Sequence, residues 1–227
     1  MDYYFISYGL TFIAVIITLF AQMFISSSYS KYSKVRNIKN ITGKEVARYI
    51  LDKNNLKDVD VVEVSGYLTD HYDPRSKVVR LSTNIYNANT IAAVSVASHE
   101  CGHAIQDDTN YLFMRIRASL VPIVNFSSYA GYIAIMLGIL SSSFNMIWIG
   151  ILLEISILLF QLVTLPVEID ASRRALKELE KYNLLDNTEI KQGKVMLGSA
   201  ALTYVASVAN TLLQIVRLIL LYGRRDD

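Results

Sequence analysis

The sequence predicts a mainly α-helical, multi-pass membrane protein with three or four transmembrane helices and a small α+β domain on the cytoplasmic side. Uncharged apolar runs cover residues 5–25, 118–140 and 146–165, and each is long enough to cross a hydrocarbon core of about 30 Å as a helix. Hydrophobic residues make up 52% of the 227 residues, and the mean hydropathy is +0.32. The net charge of only +2, without a basic segment interleaved with aromatic residues, excludes a nucleic-acid-binding protein.

The first apolar run is expected to be a retained anchor. Asp2 stands ahead of it where a signal peptide carries basic residues, and the run is longer than the apolar part of a typical signal peptide. Basic residues cluster directly after the run, and the positive-inside rule then places the N-terminus outside and the following segment in the cytoplasm. These residues are Lys31, Lys34, Arg36, Lys39 and Lys44.

A small folded domain is expected after this anchor. Thr42 and Glu45 have the spacing of a capping box ahead of a short amphipathic helix. Residues 59–64 and 77–82 are typical of strands and predict a small hairpin, whose edge could take an extended substrate peptide. The turn-rich stretch between them holds His71, which is either an ordinary loop histidine or a group that helps to hold a metal-bound water or an oxyanion.

An H-E-x-x-H segment formed by His99, Glu100 and His103 is the strongest functional signal. On a helix this spacing puts both imidazoles on one face, where they can grip one metal ion. Neutral imidazoles suit Zn²⁺, and the adjacent glutamate can take a proton from a metal-bound water. The less favoured alternative is a pair of exposed histidines on an ordinary helix. Cys101 is expected to face away from the metal as a small buried side chain.

The second and third apolar runs predict a membrane hairpin with both ends in the cytoplasm. Its turn at 141–145 carries no charge, whereas basic residues stand before and after the hairpin. They are Arg115 and Arg117 before it, and Arg173, Arg174 and Lys177 after it. The segment that follows residue 165 is therefore expected to return to the neighbourhood of the histidine pair.

Glu168 is the expected third metal ligand. Pro166 followed by Glu168 and Asp170 is typical of a helix start, so a helix is expected to begin here at the membrane surface. Two neutral histidines and one carboxylate leave a fourth position open, as in catalytic zinc sites. The competing interpretation makes both acids helix-dipole residues paired with Arg173 or Arg174. Asp170 is also a candidate for orienting a histidine ring from behind.

Two features of the apolar segments remain open. Glu154 lies within the third run, where an ionisable group is either functional or simply protonated or hydrogen-bonded to a neighbouring helix. Residues 195–216 are uncharged and rich in small residues, which predicts a fourth span or a helix packed against the catalytic domain.

Three segments together resemble the bacterial YugP family of membrane-bound neutral zinc metallopeptidases, and the resemblance covers nearly the whole chain. These are residues 70–74 (DHYDP), 98–106 (SHECGHAIQ) and 168–172 (EIDAS). The zinc helix, membrane hairpin and returning glutamate are more distantly similar to the HtpX-type membrane gluzincins, in which the returning glutamate is the third zinc ligand. Those proteins usually have an aspartate where this chain has Ser172, so Asp170 is the nearest substitute for it.

The resemblance and the residues together predict a zinc-dependent endopeptidase of the bacterial cytoplasmic membrane, acting on a peptide or membrane-protein substrate with a zincin-like site facing the cytoplasm. His99, His103 and Glu168 would bind Zn²⁺, and Glu100 would be the catalytic base. The alternatives are a non-enzymatic zinc-binding membrane scaffold or transport accessory protein, and an intramembrane-cleaving metalloprotease. The expected parts are a transmembrane anchor (1–30), a zincin-like portion (31–117), a transmembrane hairpin (118–165), a third-ligand helix and loop (166–194), and a C-terminal membrane or packing helix (195–227).

Overall fold

The computed structural model describes residues 3–223, and within this range the chain forms seven helices and three short strands. In chain order they are α1 (Tyr3–Tyr32), α2 (Gly43–Lys53), β1 (Asp60–Val64), β2 (His71–Asp73), β3 (Val78–Ser82), α3 (Thr83–Tyr86), α4 (Ile91–Asp108), α5 (Leu112–Leu140), α6 (Phe144–Lys181) and α7 (Asn187–Tyr222). The chain divides into two compact units. Unit 1 comprises Met1–Gln22, Arg115–Leu165 and Thr203–Asp227, and unit 2 comprises Met23–Met114 and Pro166–Leu202.

Unit 1 is built from the most apolar parts of four long helices. α1, α5, α6 and α7 are each long and apolar enough to cross a membrane, and few of the side chains in their most apolar stretches are buried within the protein. Apolar side chains that face outward along a whole helix are typical of contact with lipid. The mainly helical membrane class is thereby confirmed, and α7 adds a fourth helix of spanning length.

Small residues bring α5 and α6 close together. A Cβ on Gly150 would lie 2.4 Å from Cγ1 of Ile135 on the facing helix, so only glycine fits there. Ser156 donates a hydrogen bond to Ser127 across the same pair of helices at 2.8 Å. Close approach through small residues and interhelical hydroxyl bonds is the usual way in which helices associate in a bilayer.

The expected helix start at Pro166 is wrong, because α6 is one continuous helix that runs through this proline. Proline removes one backbone hydrogen bond to the preceding turn, but the residues after it are held in the helix by other contacts. Val167 and Ala171, one and five residues after it, are fully buried, and the Val167 carbonyl accepts a hydrogen bond from Gln106 of α4. α6 therefore runs from Phe144 to Lys181 as one helix.

The core of unit 2 surrounds α4, the helix that carries the histidine pair. Most residues of α4 are buried, including Ala93, Ala97 and Cys101 with no exposed surface. α2 packs against it, and the capping box at Thr42 and Glu45 is confirmed. A helix enclosed on nearly all sides has a fixed rotation about its axis, so the direction of its polar side chains is fixed as well.

The three strands form one sheet in the order β1-β3-β2. The hairpin expected from residues 59–64 and 77–82 is wrong, because β1 and β3 pair in parallel. The antiparallel partner of β3 is β2, which lies within the turn-rich stretch. Three residues are too few to give the alternation that marks a strand in sequence, and β2 therefore had no pattern that predicted it.

Candidate metal centre

The two histidines of α4 and Glu168 of α6 meet in unit 2. Nε2 of His99 lies 3.3 Å from Oε2 of Glu168, and Nε2 of His103 lies 3.6 Å from the same oxygen. One potential ligand atom from each residue lies within 4.8 Å of the other two. The structure therefore brings together the three residues that the sequence predicts as ligands.

The donor set and its surroundings suit a zinc ion. His103 and Glu168 are buried, with 8% and 4% of their surfaces exposed. A buried carboxylate needs a positive partner. Burial opposes the charged forms of both groups, yet their hydrogen bonds to one another prevail, so the pKa of His103 is raised and the pKa of Glu168 is lowered. A divalent cation among the three donors would supply the same positive charge, with imidazole nitrogen and carboxylate oxygen as ligands.

The position of Glu168 depends on a close crossing of α4 and α6 at Gly102. A Cβ on Gly102 would lie 2.4 Å from the Ala171 carbonyl oxygen, so the two helix backbones touch at this point. Gly102 directly precedes His103, and Ala171 lies three residues after Glu168. The glycine thus sets how closely the carboxylate can approach the imidazoles.

Replacing Gly102 by alanine is expected to separate the two helices and to weaken zinc binding. An added methyl group that meets backbone atoms costs about 1–3 kcal/mol of folding free energy, and any outward shift of α6 lengthens the distance from Glu168 to both rings. The measurement is urea unfolding in detergent together with zinc affinity. Gly198→Ala is the matched control, since Gly198 is an exposed glycine of α7 with no atom within 4 Å of an added Cβ. Wild-type stability and affinity in Gly102→Ala would contradict the role of this crossing.

Gln106 fixes the proton position on His103. The Gln106 side-chain amide Nε2 donates to the Val167 carbonyl at 2.8 Å and to Oδ2 of Asp170 at 3.0 Å. Both amide hydrogens are thereby used, and its oxygen lies 3.0 Å from Nδ1 of His103. In the neutral ring that metal binding requires, this network assigns the proton to Nδ1, which donates to Gln106 and leaves the Nε2 lone pair for the metal.

Ser172 contacts Nδ1 of His99, as Gln106 contacts Nδ1 of His103. Its Oγ lies 3.1 Å from Nδ1 of His99, one helical turn after Glu168. The serine thus contacts an imidazole of the cluster at the position where the HtpX-type proteins usually have an aspartate. Sequence reasoning missed the contacts of Ser172 and Gln106, although each residue lies one turn after a residue of the cluster on the same helix.

Asp170 does not contact a histidine ring directly. Its carboxylate accepts hydrogen bonds from Gln106, from Arg173 at 2.5 Å and from Arg174 at 2.6 Å. It pairs with the two arginines as the competing interpretation expected, but it lies in the middle of α6 and not in a first helical turn. Its link to His103 runs through the Gln106 amide. Glu168, in contrast, faces the two imidazoles.

Replacing Gln106 by leucine is expected to lower zinc affinity by about 10–100-fold, the usual effect of losing a hydrogen-bond partner behind a metal-binding histidine. Leucine keeps the volume but leaves Nδ1 of His103 without its acceptor. Competition with a chromophoric zinc chelator measures the effect. Gln192→Leu serves as control, since Gln192 lies elsewhere in unit 2 and its amide oxygen is buried without a hydrogen bond in the described part of the chain. Equal affinities of the two variants would refute the assignment.

Glu100 is held by the backbone of β2. It is 7% exposed, and its Oε2 accepts a hydrogen bond from the Tyr72 backbone N–H at 3.0 Å. The Tyr72 hydroxyl donates to Asp107 at 2.9 Å, so this residue ties β2 to α4 at two points. The Glu100 contact was not predictable, because β2 itself was not predicted.

His71 and Cys101 lie outside the three-residue cluster. His71 is exposed on β2, with Nδ1 at 2.8 Å from the Thr69 carbonyl oxygen. Cys101 is buried, as expected, and its thiol donates to the Ala47 carbonyl oxygen at 3.5 Å. Burial raises the pKa of this thiol, which disfavours the thiolate that metal binding would require.

Comparisons with known proteins agree with these observations. The family described as "Putative neutral zinc metallopeptidase" matches residues 7–223. The chain is 42% identical over 219 residues to "Putative membrane protease YugP" of Bacillus subtilis (strain 168). This alignment covers 96% of this chain and 97% of that protein. No solved structure matches the chain significantly. Because these matches extend over nearly its whole length, the chain belongs to this family of neutral zinc metallopeptidases.

Proposed function

We propose that this protein is a membrane-embedded zinc endopeptidase in which His99, His103 and Glu168 bind the metal and Glu100 is the general base. The observation that carries the proposal is the convergence of two imidazole nitrogens and one buried carboxylate on a single position, with their atoms within 4.8 Å of one another. When bound there, zinc would polarise the peptide carbonyl and lower the pKa of a water molecule.

The protein residues prepare this site before any substrate arrives. Gln106 and Ser172 hold the Nδ1 sides of the two rings, so that both Nε2 atoms face Glu168. Pre-oriented ligands of this kind lose little conformational freedom on binding a metal. A set of two histidines and one glutamate supports a catalytic site of the gluzincin type, because it leaves one coordination position for solvent or substrate.

Glu100 is suited to move a proton during peptide hydrolysis. The Tyr72 N–H holds Oε2 of Glu100 and fixes the orientation of the carboxylate, and Oε1 is then the oxygen that takes the proton from the attacking water. The same carboxylate returns this proton to the nitrogen of the departing amine. The buried setting strengthens these interactions, since bulk water does not screen them.

The charge pattern supports a site that faces the cytoplasm. Basic residues follow α1 and flank the hairpin of α5 and α6, whereas the turn between α5 and α6 has no charge. If these helices span the membrane, two crossings separate Met114 from Pro166, and the segments that carry the histidines and Glu168 are on the same side. The proposed substrates are peptide segments of membrane proteins or of cytoplasmic polypeptides.

A turnover assay of the purified full-length chain tests the proposal. The protein is extracted in a mild detergent, and hydrolysis of a fluorogenic casein is followed with and without a chelator. We expect hydrolysis that the chelator abolishes and that stoichiometric zinc restores. Zinc-loaded protein that cleaves neither casein nor membrane-protein substrates would contradict the peptidase assignment.

A further inference from the structure

A groove in unit 1 combines a polar stripe with an apolar floor. Its cavity of about 350 Å³ lies between α1 and α7. The polar stripe consists of Asn210, Gln214 and Arg217, which line the cavity. Their spacing of i, i+4 and i+7 places all three on one face of α7. Polar side chains are rare in lipid-facing helices because they are costly there, and an ionisable one is by default a candidate for function.

Helix pairing accounts for only part of this stripe. Asn210 donates to Oγ1 of Thr18 at 2.5 Å, and Nε of Arg217 donates to Oγ of Ser7 at 3.1 Å. These two bonds join antiparallel α1 and α7. The amide oxygen of Asn210 is buried, and no hydrogen-bond partner for it lies in the described part of the chain. Within residues 3–223, the terminal nitrogens of Arg217 have neither a hydrogen-bond acceptor nor a carboxylate within 4 Å.

If α1 and α7 end at the outer edge of the headgroup region, Arg217 lies at the depth of the lipid phosphates. It comes five residues before Tyr222, the last residue of α7, and its partner Ser7 comes four residues after Tyr3, the first residue of α1. At 1.5 Å per residue, both lie about 6–8 Å along the helix axis from the helix ends. This distance is about the thickness of the headgroup region on each side of a bilayer.

The remainder of the groove suits an acyl chain. Its floor is lined by the apolar side chains Leu10, Ala14, Val15, Leu19 and Leu213. The stretch of α1 from Leu10 to Leu19 is about 14 Å long. The groove therefore offers a cation at the depth of the phosphates and an apolar channel below it.

We propose that this groove binds one anionic phospholipid, with its phosphate on the guanidinium of Arg217 and an acyl chain along the apolar floor. Charge complementarity favours a lipid of net negative charge, because Arg217 is the one charged side chain among the described residues of α1 and α7 in unit 1. A zwitterionic lipid brings its own ammonium group, which competes for the phosphate. This site is separate from the zinc centre, and the proposal does not depend on peptidase activity.

Native mass spectrometry of the full-length protein tests the site. The protein is released from nanodiscs that contain phosphatidylcholine with a minor fraction of phosphatidylglycerol, and the retained lipids are identified. The wild type is expected to retain phosphatidylglycerol over its share in the nanodisc by about fivefold, the factor that one cationic side chain contributes near an anionic surface. Arg217→Gln should remove this preference, and Arg217→Lys should keep part of it.

Two further variants make the result decisive. Arg115→Gln removes an exposed arginine of α5 outside the groove, and it should leave the retention of phosphatidylglycerol unchanged. Ala14→Trp fills the groove without changing charge, and it should remove the preference as Arg217→Gln does. Equal retention of the two lipids by the wild type, an unchanged preference in Arg217→Gln, or an equal loss in Arg115→Gln would overturn the proposal. If Arg217→Gln does not fold, an unchanged preference in Ala14→Trp would overturn it as well.

Discussion

Replacing Glu100 by glutamine is expected to lower the rate of peptide hydrolysis by about 10³-fold while zinc remains bound at wild-type stoichiometry. Glutamine keeps the size of the side chain, and its oxygen can still accept the hydrogen bond from the Tyr72 N–H. The amide cannot take a proton from water, however, so the chemical step loses its base. Zinc content by atomic absorption and casein turnover on the same preparation measure the two effects separately.

The control for this variant is Glu63→Gln on β1. Glu63 is exposed, and its carboxylate accepts a hydrogen bond from Asn87 at 3.2 Å, away from the metal cluster. This variant should keep both zinc and activity. If Glu100→Gln cleaves casein at the wild-type rate, Glu100 is not the base, and another group must carry the proton.

The second large effect is expected at Glu168, where substitution by alanine should lower zinc affinity by more than about a hundredfold. Losing a ligand costs more than the 10–100-fold that is usual for losing a group behind a ligand. Two neutral imidazoles without the carboxylate also bring no negative charge to balance the metal. Zinc titration against a chelator of known affinity is the measurement, and activity should fall with zinc occupancy.

Glu178→Ala is the control for Glu168→Ala, because it also removes a buried carboxylate but not a proposed metal ligand. Glu178 lies on the same helix α6, is 7% exposed, and accepts a hydrogen bond from Asn54 at 2.8 Å. Its removal should reduce stability but leave zinc affinity unchanged. Full zinc retention in Glu168→Ala, or an equal loss of zinc in both variants, would contradict the assignment of Glu168 as the third ligand.

The parts of this site that depend on local spacing could be predicted from sequence. His99, Glu100 and His103 lie within one helical turn, so any helix through them brings the pair together. Glu168 was predictable for a different reason, because the charges around the two central apolar runs indicate that the chain returns to the same side of the membrane. The structure then brings this carboxylate to the two imidazoles.

The contacts that support the ligands could not be predicted, because they depend on tertiary structure. Ser172 of α6 reaches His99 only because α4 and α6 cross closely at Gly102. Gln106 lies one turn after His103 on α4, but its amide is oriented by Val167 and Asp170 of α6. No local pattern reports a crossing between distant segments. The Tyr72 backbone N–H reaches Glu100 from a strand of three residues. Pro166 misled the prediction of the helix start, because burial on its C-terminal side outweighs the one backbone bond that proline removes.

A crystal structure of the zinc-loaded protein, with anomalous diffraction recorded at the zinc edge, tests the central claim most directly. The result expected is one strong anomalous peak bonded to Nε2 of His99, Nε2 of His103 and an oxygen of Glu168, with a solvent molecule as the fourth ligand. A peak away from these residues, or a fourth protein side chain in place of solvent, would contradict the proposed catalytic centre.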